Sequence, residues 1–386
     1  GDVAVIRVAN SFAGLHAMSR AVRATVPRQL VGITGSAGKT TTKELLAAML
    51  APRYRVAKSP GNLNNLYGFP LALLGIPDDS EWMVAELGMS TPGELREVSL
   101  LARPDVVVFT NVRPAHLEFF GSVRAIAEAK AEILAGLAPD GLVIANADDE
   151  EVRRIARRAP GRVVWYGFGE DAEVRAGAVE VSPGGRVGSR FLLTAGAEEV
   201  TVSLPLLGAH NIENCLAAAA AAFSLGVPLA VIATTVATVV PAAMRGVVHS
   251  LAGAVTVVDD CYNANPAAVE HALQAAATLA AARRWAVLGE MRELGPAAVE
   301  FHRAAGARAA ALGFDPIVGV GELSRELVAA AGAAGQWISD AETAAREAPA
   351  HLRAGDLVLV KGSRGVGLEV VVRALIARSL ELEPLP

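Results

Sequence analysis

Lys39, Thr40 and Thr41 follow two glycines, Gly35 and Gly38, where the apolar run VGITG gives way to the helical pattern KTTTKELLAAML. That order of residues suits a phosphate. Gly35 and Gly38 let the backbone around Ser36 and Ala37 curl until successive N–H groups face one anion, and the helix behind adds the positive end of its dipole. Lys39 is placed to reach the outer phosphates of a nucleoside triphosphate, and the Thr40 hydroxyl to bind Mg²⁺. The run departs from the strict G-x-x-x-x-G-K-[ST] pattern, because Ile33 stands five residues before Gly38.

Lysine is scarce elsewhere. The five lysines are Lys39, Lys43, Lys58, Lys130 and Lys361, so arginine supplies 30 of the 35 basic residues. Lysines kept in such a chain point to places that need a compact ammonium or a nucleophilic amine. Lys39, Lys130 and Lys361 are read that way, and Lys43 and Lys58 as chance. Glu86 closes the apolar run WMVAE, which brings its carboxylate to the C-terminal edge of a sheet, where open α/β folds gather ligands. There it could hold Mg²⁺, or be only a solvated strand-end acid. After the next apolar run, TNVRPAHLEFFGS presents Asn111, His116 and Glu118 in a loop. The helical segment SVRAIAEAKAEILAGL then carries Ile126, Ile133 and Leu137 on one stripe, with Lys130 on the same face. An inward lysine either snorkels or works. Burial favours its neutral amine, which can add CO₂ to become a carbamate, a carboxylate on a long arm.

The elements that must position these groups follow from the same pattern. At 386 residues the chain has room for two to three domains. Leu15, Met18 and Val22 mark a lead-in helix that stops at Pro27. QLVGITG, YRVAKSP, WMVAELGM, DVVVFTNV and GLVIANADD are strand candidates separated by helical segments, the signature of a parallel sheet covered by helices. From about 163 to 207 the period becomes two, with turns at Pro183-Gly184-Gly185 and Ala195-Gly196, and a small antiparallel meander is expected. Beyond Arg245 the runs AVTVVDD, RWAVLGEM, DPIVGVG, QWIS and DLVLVKGS predict a second parallel sheet, with the boundary near 241–246. The expected architecture is α/β, a central P-loop domain (28–243) and a C-terminal Rossmann-like domain (244–386), preceded by a linker helix in 1–27.

A net charge of −5 and no basic run longer than two residues argue against nucleic acid as a partner. No stretch has 18 strongly apolar residues, and the alanines of 217–222 make a helix too short and too weakly hydrophobic to span a bilayer. Cys215 and Cys261 lie in unrelated segments and predict neither a disulfide nor a CxxC metal site. With no signal peptide pattern, the expected compartment is the cytoplasm.

The motifs ITGSAGKTTTKE, GNLNNLYGFP, ELGMSTPGEL, AHLEFFGS then AKAEI, NADD, GAHNIENCLAA, MRG, DDCYNANP, LGEMRELG and VKGSRG occur in an order that resembles the Mur ligases. GNLNN, DDCYNANP and LGEMRELG are closest to the MurF-type branch. The short T-G-x-x-G-K-T-T form of the phosphate loop also belongs to such ATP-dependent amide ligases. The resemblance covers about residues 28 to 376. It implies ATP held by Gly35, Ser36, Ala37, Gly38, Lys39, Thr40 and Thr41, with Asn211 and Asn214 near the adenine and Arg245 and Asp260 reaching in from the hinge and the C-terminal domain. It implies two Mg²⁺, one on Thr40 and Glu86, the other on His116 and carbamylated Lys130, so that Lys39, Glu86, His116 and Lys130 form the catalytic set. Asn62, Asn64 and Asn65 would meet the peptidyl substrate, Tyr262, Asn263 and Asn265 line the cleft, and Lys361 and Arg364 lie where the amine acceptor is expected. Ala37, Leu66-Tyr67 and Ser90-Thr91 depart from the family's usual residues without removing a phosphate or metal ligand.

The reaction so implied joins D-alanyl-D-alanine to UDP-N-acetylmuramoyl-tripeptide through an acyl phosphate, in a monomer. The family's N-terminal UDP-sugar domain is expected to be absent beyond its last helix, truncated or encoded separately. Two rivals stand beside this reading: a MurE-type or folylpolyglutamate-synthase-type ligase, and a nucleotide-binding Mur-like subunit without catalysis.

Overall fold

A computed structural model of the chain describes residues 5–26, 28–115, 117–181 and 187–382. Its strands are β1 (Gln29–Thr34), β2 (Val56–Lys58), β3 (Trp82–Glu86), β4 (Val106–Phe109), β5 (Leu142–Asn146), β6 (Val163–Gly167), β7 (Val174–Val181), β8 (Ser189–Ala195), β9 (Glu198–Leu204), β10 (Val247–Ser250), β11 (Thr256–Asp259), β12 (Arg283–Gly289), β13 (Ile317–Val320), β14 (Gly335–Ile338) and β15 (Asp356–Lys361). They form a nine-stranded sheet, β2-β3-β1-β4-β5-β6-β7-β8-β9, and a six-stranded sheet, β10-β11-β15-β12-β13-β14.

In the first sheet β1 lies between β3 and β4 and is parallel to both. The chain leaves β1 for β2 and β3 on one side and returns to β4 on the other, so the strand order reverses beside β1, the usual place for a ligand crevice. Both faces are apolar, as a helix-covered parallel sheet requires. Val31, Ile33 and Val108 enter one core with Leu45, Leu46 and the helix Ala209–Ser224. Leu30, Val107 and Phe109 enter the other with Leu95, Val98, Ile126 and Ile133. Ala217 to Ala222 are all fully buried, and their small side chains let the helix Ala209–Ser224 lie against both the sheet and the helix Lys39–Leu50 that follows the phosphate loop.

Three sequence expectations change. The antiparallel run starts later than 163, because β6 is parallel to β5 and β7 parallel to β6; only β7-β8-β9 are antiparallel. The expected turn at 183–185 lies outside the described residues. The second sheet is not wholly parallel, since β10 pairs antiparallel with β11 along one edge. On the first helix, Ser11–Thr25, Met18 is exposed while His16 and Ser19 are buried. His16 Nε2 bonds Leu66 O at 2.8 Å and Ser19 lies at Pro70 O, so polar contacts to the 66–70 segment, rather than an apolar stripe, choose the inward face. No helix among the described residues is long and apolar enough to cross a membrane.

Candidate active site

Parallel pairing of β3, β1 and β4 puts the ends of all three strands on one edge, and the loop after each contributes to a single cleft of about 660 Å³. Gly35 has φ +153°, and a Cβ there would stand 1.8 Å from Thr110 Oγ1; Gly38 has φ +84°, with Asn214 Oδ1 at 2.0 Å from a Cβ. Only glycine fits either turn. The loop between them is clamped from β4: Asn111 Oδ1 accepts from Ala37 N at 3.0 Å, Thr110 Oγ1 donates to Ala37 O at 2.6 Å, and Ser36 N donates to Asn111 O at 2.9 Å. The helix Lys39–Leu50 begins at once, with its first N–H groups aimed into the cleft. Lys39 Nζ donates to Gly35 O at 2.7 Å.

Glu86 is 3 % exposed at the end of β3, and its Oε1 accepts no hydrogen bond. Lys43 Nζ lies 3.2 Å from that oxygen. Lys130 is also 3 % exposed, on the helix Val123–Ala131 whose Ile126 and Ala127 are buried too, and no hydrogen bond or ion pair joins its amine to another described residue. Burial, followed by the charge of Lys39, pushes the Lys130 amine well below the usual lysine range. Burial also lowers Lys39, opposed by Glu86 and assisted by Arg245.

The opposite wall comes from the second sheet. Asp260 and Lys361 leave the ends of β11 and β15, which are parallel neighbours, and pair at 2.7 Å. Lys361 Nζ also donates to Asn263 O at 3.0 Å. Arg245 lays its guanidinium over the Tyr262 ring at 4.1 Å, and Arg364 pairs with Glu369 at 3.1 Å. The walls touch where Glu118 N donates to Glu293 O at 3.3 Å and where His210 stacks on His271, centroids 5.3 Å apart and planes 5° off parallel. Burial, then His271 and Lys361, push His210 down to about 3.

Of the described residues singled out from the sequence, Gly35, Ser36, Ala37, Gly38, Lys39, Thr40, Thr41, Asn62, Asn64, Asn65, Glu86, Asn111, Lys130, Asn211, Asn214, Arg245, Asp260, Tyr262, Asn263, Asn265, Lys361 and Arg364 line this cleft, and Glu118, on the helix Leu117–Phe120, does not. His116 lies outside the described residues. Several hold posts that spacing did not foretell. Asn65 Oδ1 accepts from Tyr67 N and Gly68 N at the head of the helix Gly68–Leu74, and Asn265 caps the helix Pro266–Ala277 through Ala268 N at 2.9 Å. Asn214 packs on Gly38 and Asn211 bonds Leu207 O, so these amides brace the phosphate loop from behind. Asp260 and Lys361, assigned from the sequence to different ligands, are one ion pair.

The sequence reading missed Arg113, His210, His271, Arg292 and Ser363 on the cleft, and took Lys43 for chance although it is buried against Glu86. Lys58 is exposed and pairs with Glu44. Among the described residues, Lys39, Arg113, Arg245, Arg292, Lys361 and Arg364 face Glu86, Asp260 and Glu293 across the cleft, an excess of basic side chains in a chain of net charge −5. Such a cleft attracts polyanions.

The Mur ligase middle domain matches residues 33–222 and the Mur ligase, glutamate ligase domain residues 244–364. The chain is 36 % identical to the UDP-N-acetylmuramoyl-tripeptide--D-alanyl-D-alanine ligase of Mycobacterium tuberculosis over 373 residues, which covers 90 % of this chain and 73 % of that protein. It is 34 % identical to the Bacillus subtilis ligase of the same name, over 98 % of this chain and 82 % of the relative. Its fold superposes on the crystal structure of MurF ligase from Thermotoga maritima in complex with ADP with a TM-score of 0.86 at 28 % identity, over 99 % of this chain and 88 % of the other. The two strand-end walls, the glycine-turned phosphate loop and these matches agree, and the chain belongs to the Mur ligase family.

Proposed function

We propose that the chain is an ATP-dependent, ADP-forming peptide ligase that adds D-alanyl-D-alanine to UDP-N-acetylmuramoyl-tripeptide, a cytoplasmic step of peptidoglycan precursor synthesis. The observation that carries the reading is the single cleft. One wall offers a phosphate loop, a buried carboxylate and a buried amine; the other offers the Asp260–Lys361 pair and two arginines.

The residues present fit magnesium. A buried Glu86 oxygen without a hydrogen bond and a hydroxyl at Thr40 are the hard oxygen donors that Mg²⁺ takes. The described residues contain no cluster of three or more His, Cys, Asp or Glu side chains suited to a metal. That agrees with an ion held by one or two carboxylates and the substrate's own phosphates rather than by a protein cage. In our reading Thr40 and Glu86 hold one Mg²⁺, and His116 with carbamylated Lys130 a second. Bound there, the ions would neutralise charge on the phosphoryl oxygens.

In the first step a carboxylate oxygen of the tripeptide attacks the γ-phosphorus while the bond to the β,γ-bridging oxygen breaks, which gives an acyl phosphate and ADP. In the second the dipeptide amine attacks the acyl carbon, phosphate leaves, and the nitrogen loses a proton. Lys39 and the loop N–H groups hold the transferring phosphoryl group, where preorganised charge contributes most. Burial, then the charge of Lys39, bias Lys130 towards its neutral amine, the form that can add CO₂ with loss of one proton. Closure at the Glu118–Glu293 and His210–His271 contacts would keep water from the acyl phosphate.

ADP release measured with UDP-N-acetylmuramoyl-tripeptide and a panel of amines tests the reading. D-alanyl-D-alanine is expected to stimulate release far above free D-alanine, meso-diaminopimelate or L-glutamate. A better rate with glutamate and a folate acceptor would move the chain to the other branch.

A further inference from the structure

Lys43 is one helical turn beyond Lys39, yet it does not line the cleft. Its side chain is 1 % exposed. A buried ammonium must find compensation for all it loses in water. Here Nζ donates to Ser59 O at 2.9 Å and to Gly61 O at 3.4 Å, and stands 3.2 Å from Glu86 Oε1 and 3.5 Å from Glu44 Oε1. The two carbonyls belong to the turn that opens the segment Asn62 to Asn65. That turn is joined to the end of β3 by other bonds: Ser59 N to Val84 O at 3.0 Å, Glu86 N to Ser59 Oγ at 3.2 Å, and Gly88 N to Asn64 O at 2.8 Å. Three pieces therefore meet at one amine: the helix behind the phosphate loop, the carboxylate that ends β3, and the asparagine segment.

We infer that Lys43 is a positioning residue that holds the Glu86 carboxylate and the Asn62 to Asn65 segment at a set distance from the phosphate loop, so that nucleotide side and acceptor side stay in register. The inference rests on the proposed function, in which Glu86 holds a metal and the asparagine segment meets the peptidyl substrate. Arginine cannot take the post, since its planar fork is larger and cannot reach two carbonyls and a carboxylate from one point.

Lys43→Met keeps the stem and removes the charge; Lys43→Arg keeps the charge and changes the shape. Both are compared with the unaltered chain in three measurements: affinity for ADP without metal, affinity of the ADP complex for Mn²⁺ by electron paramagnetic resonance, and separate KM values for the tripeptide and the dipeptide. Metal-free ADP affinity is expected to stay within about twofold, because the phosphate loop is intact. Mn²⁺ affinity should fall roughly 10- to 100-fold, the usual loss when an outer partner of a metal ligand is removed. The tripeptide KM should rise about tenfold while the dipeptide KM stays put. Unchanged Mn²⁺ affinity and tripeptide KM in Lys43→Met would overturn the inference, and so would a parallel collapse of ADP affinity, which would make Lys43 a support of the fold alone. If the unaltered chain lacked tripeptide-dependent ADP release, the proposed function would fail, while the Mn²⁺ measurement would still decide the role of Lys43.

Discussion

On the wall built by the nine-stranded sheet, the groups open to an anion are consecutive in the chain, the backbone N–H groups of Gly38 to Thr40 at a helix start and the Lys39 amine, while the Ser36 and Ala37 N–H groups are spent on Asn111. On the wall built by the six-stranded sheet they are cationic side chains, Lys361, Arg245 and Arg364, and Lys361 is held by Asp260, 101 residues away in the chain. The first wall is braced before any ligand arrives, through Asn111, Thr110 and Asn214. The second is held by an ion pair and an arginine stacked on an aromatic ring. A preorganised cradle suits phosphoryl transfer, whose demand is charge in fixed places. A wall of paired, partly exposed side chains suits a partner that arrives later and must be closed upon.

The comparison breaks most visibly at Lys39. Lys39→Met should lower tripeptide-dependent ADP formation about a thousandfold, about 4 kcal/mol of transition-state stabilisation, with the fold unchanged by circular dichroism. An activity near that of the unaltered chain would mean that the first wall does not carry the phosphoryl step. Lys130→Arg comes next, with an expected loss of about a hundredfold, about 3 kcal/mol, because guanidinium cannot form a carbamate. Unaltered enzyme should also lose rate when CO₂ is stripped from the buffer. Lys130→Arg at full activity would leave Lys130 as a buried helix residue only.

The contact between the walls predicts an acid-sensitive stability. His210 titrates near 3 in the folded chain and near 6.5 unfolded, so between those values the unfolded state binds the extra proton and stability falls as pH falls from about 6.5. At pH 5 this group alone costs about 2 kcal/mol relative to neutral pH. Urea unfolding of His210→Gln should therefore show a shallower acid limb than the unaltered chain. Superimposable limbs would show that the histidine stack does not link the walls as described.

Lys361→Met sharpens the comparison with the smallest effect, since it touches only the second wall. Overall turnover should fall about tenfold, about 1.4 kcal/mol, while a single burst of ADP with ATP and tripeptide persists. Loss of the burst together with turnover would mean that the two walls share the first step.

The difference between the walls also explains what could be read in advance. The phosphate loop, Glu86 at its strand end and Lys130 on its apolar stripe are local patterns, and the structure brings them to one edge. Lys43 has partners 16 and 18 residues away at Ser59 and Gly61, and nothing at its own position announces them. The Asp260–Lys361 pair depends on β11 and β15 becoming neighbours, which only the folded sheet decides. Asn265 lines the cleft as expected and has a second role that was legible: asparagine followed by Pro266 is a helix start, and capping follows from the dipeptide. The parallel pairing of β6 and the antiparallel edge strand β10 were not legible, since alternation along a short strand says which face is buried and not which way its neighbour runs.

The most direct test follows oxygen. With ATP, D-alanyl-D-alanine and a tripeptide substrate whose terminal carboxylate carries ¹⁸O, an acyl phosphate must pass one labelled oxygen to the released phosphate. We expect phosphate bearing one ¹⁸O for each peptide bond made. Peptide bond formation with unlabelled phosphate would contradict the mechanism assigned to this cleft.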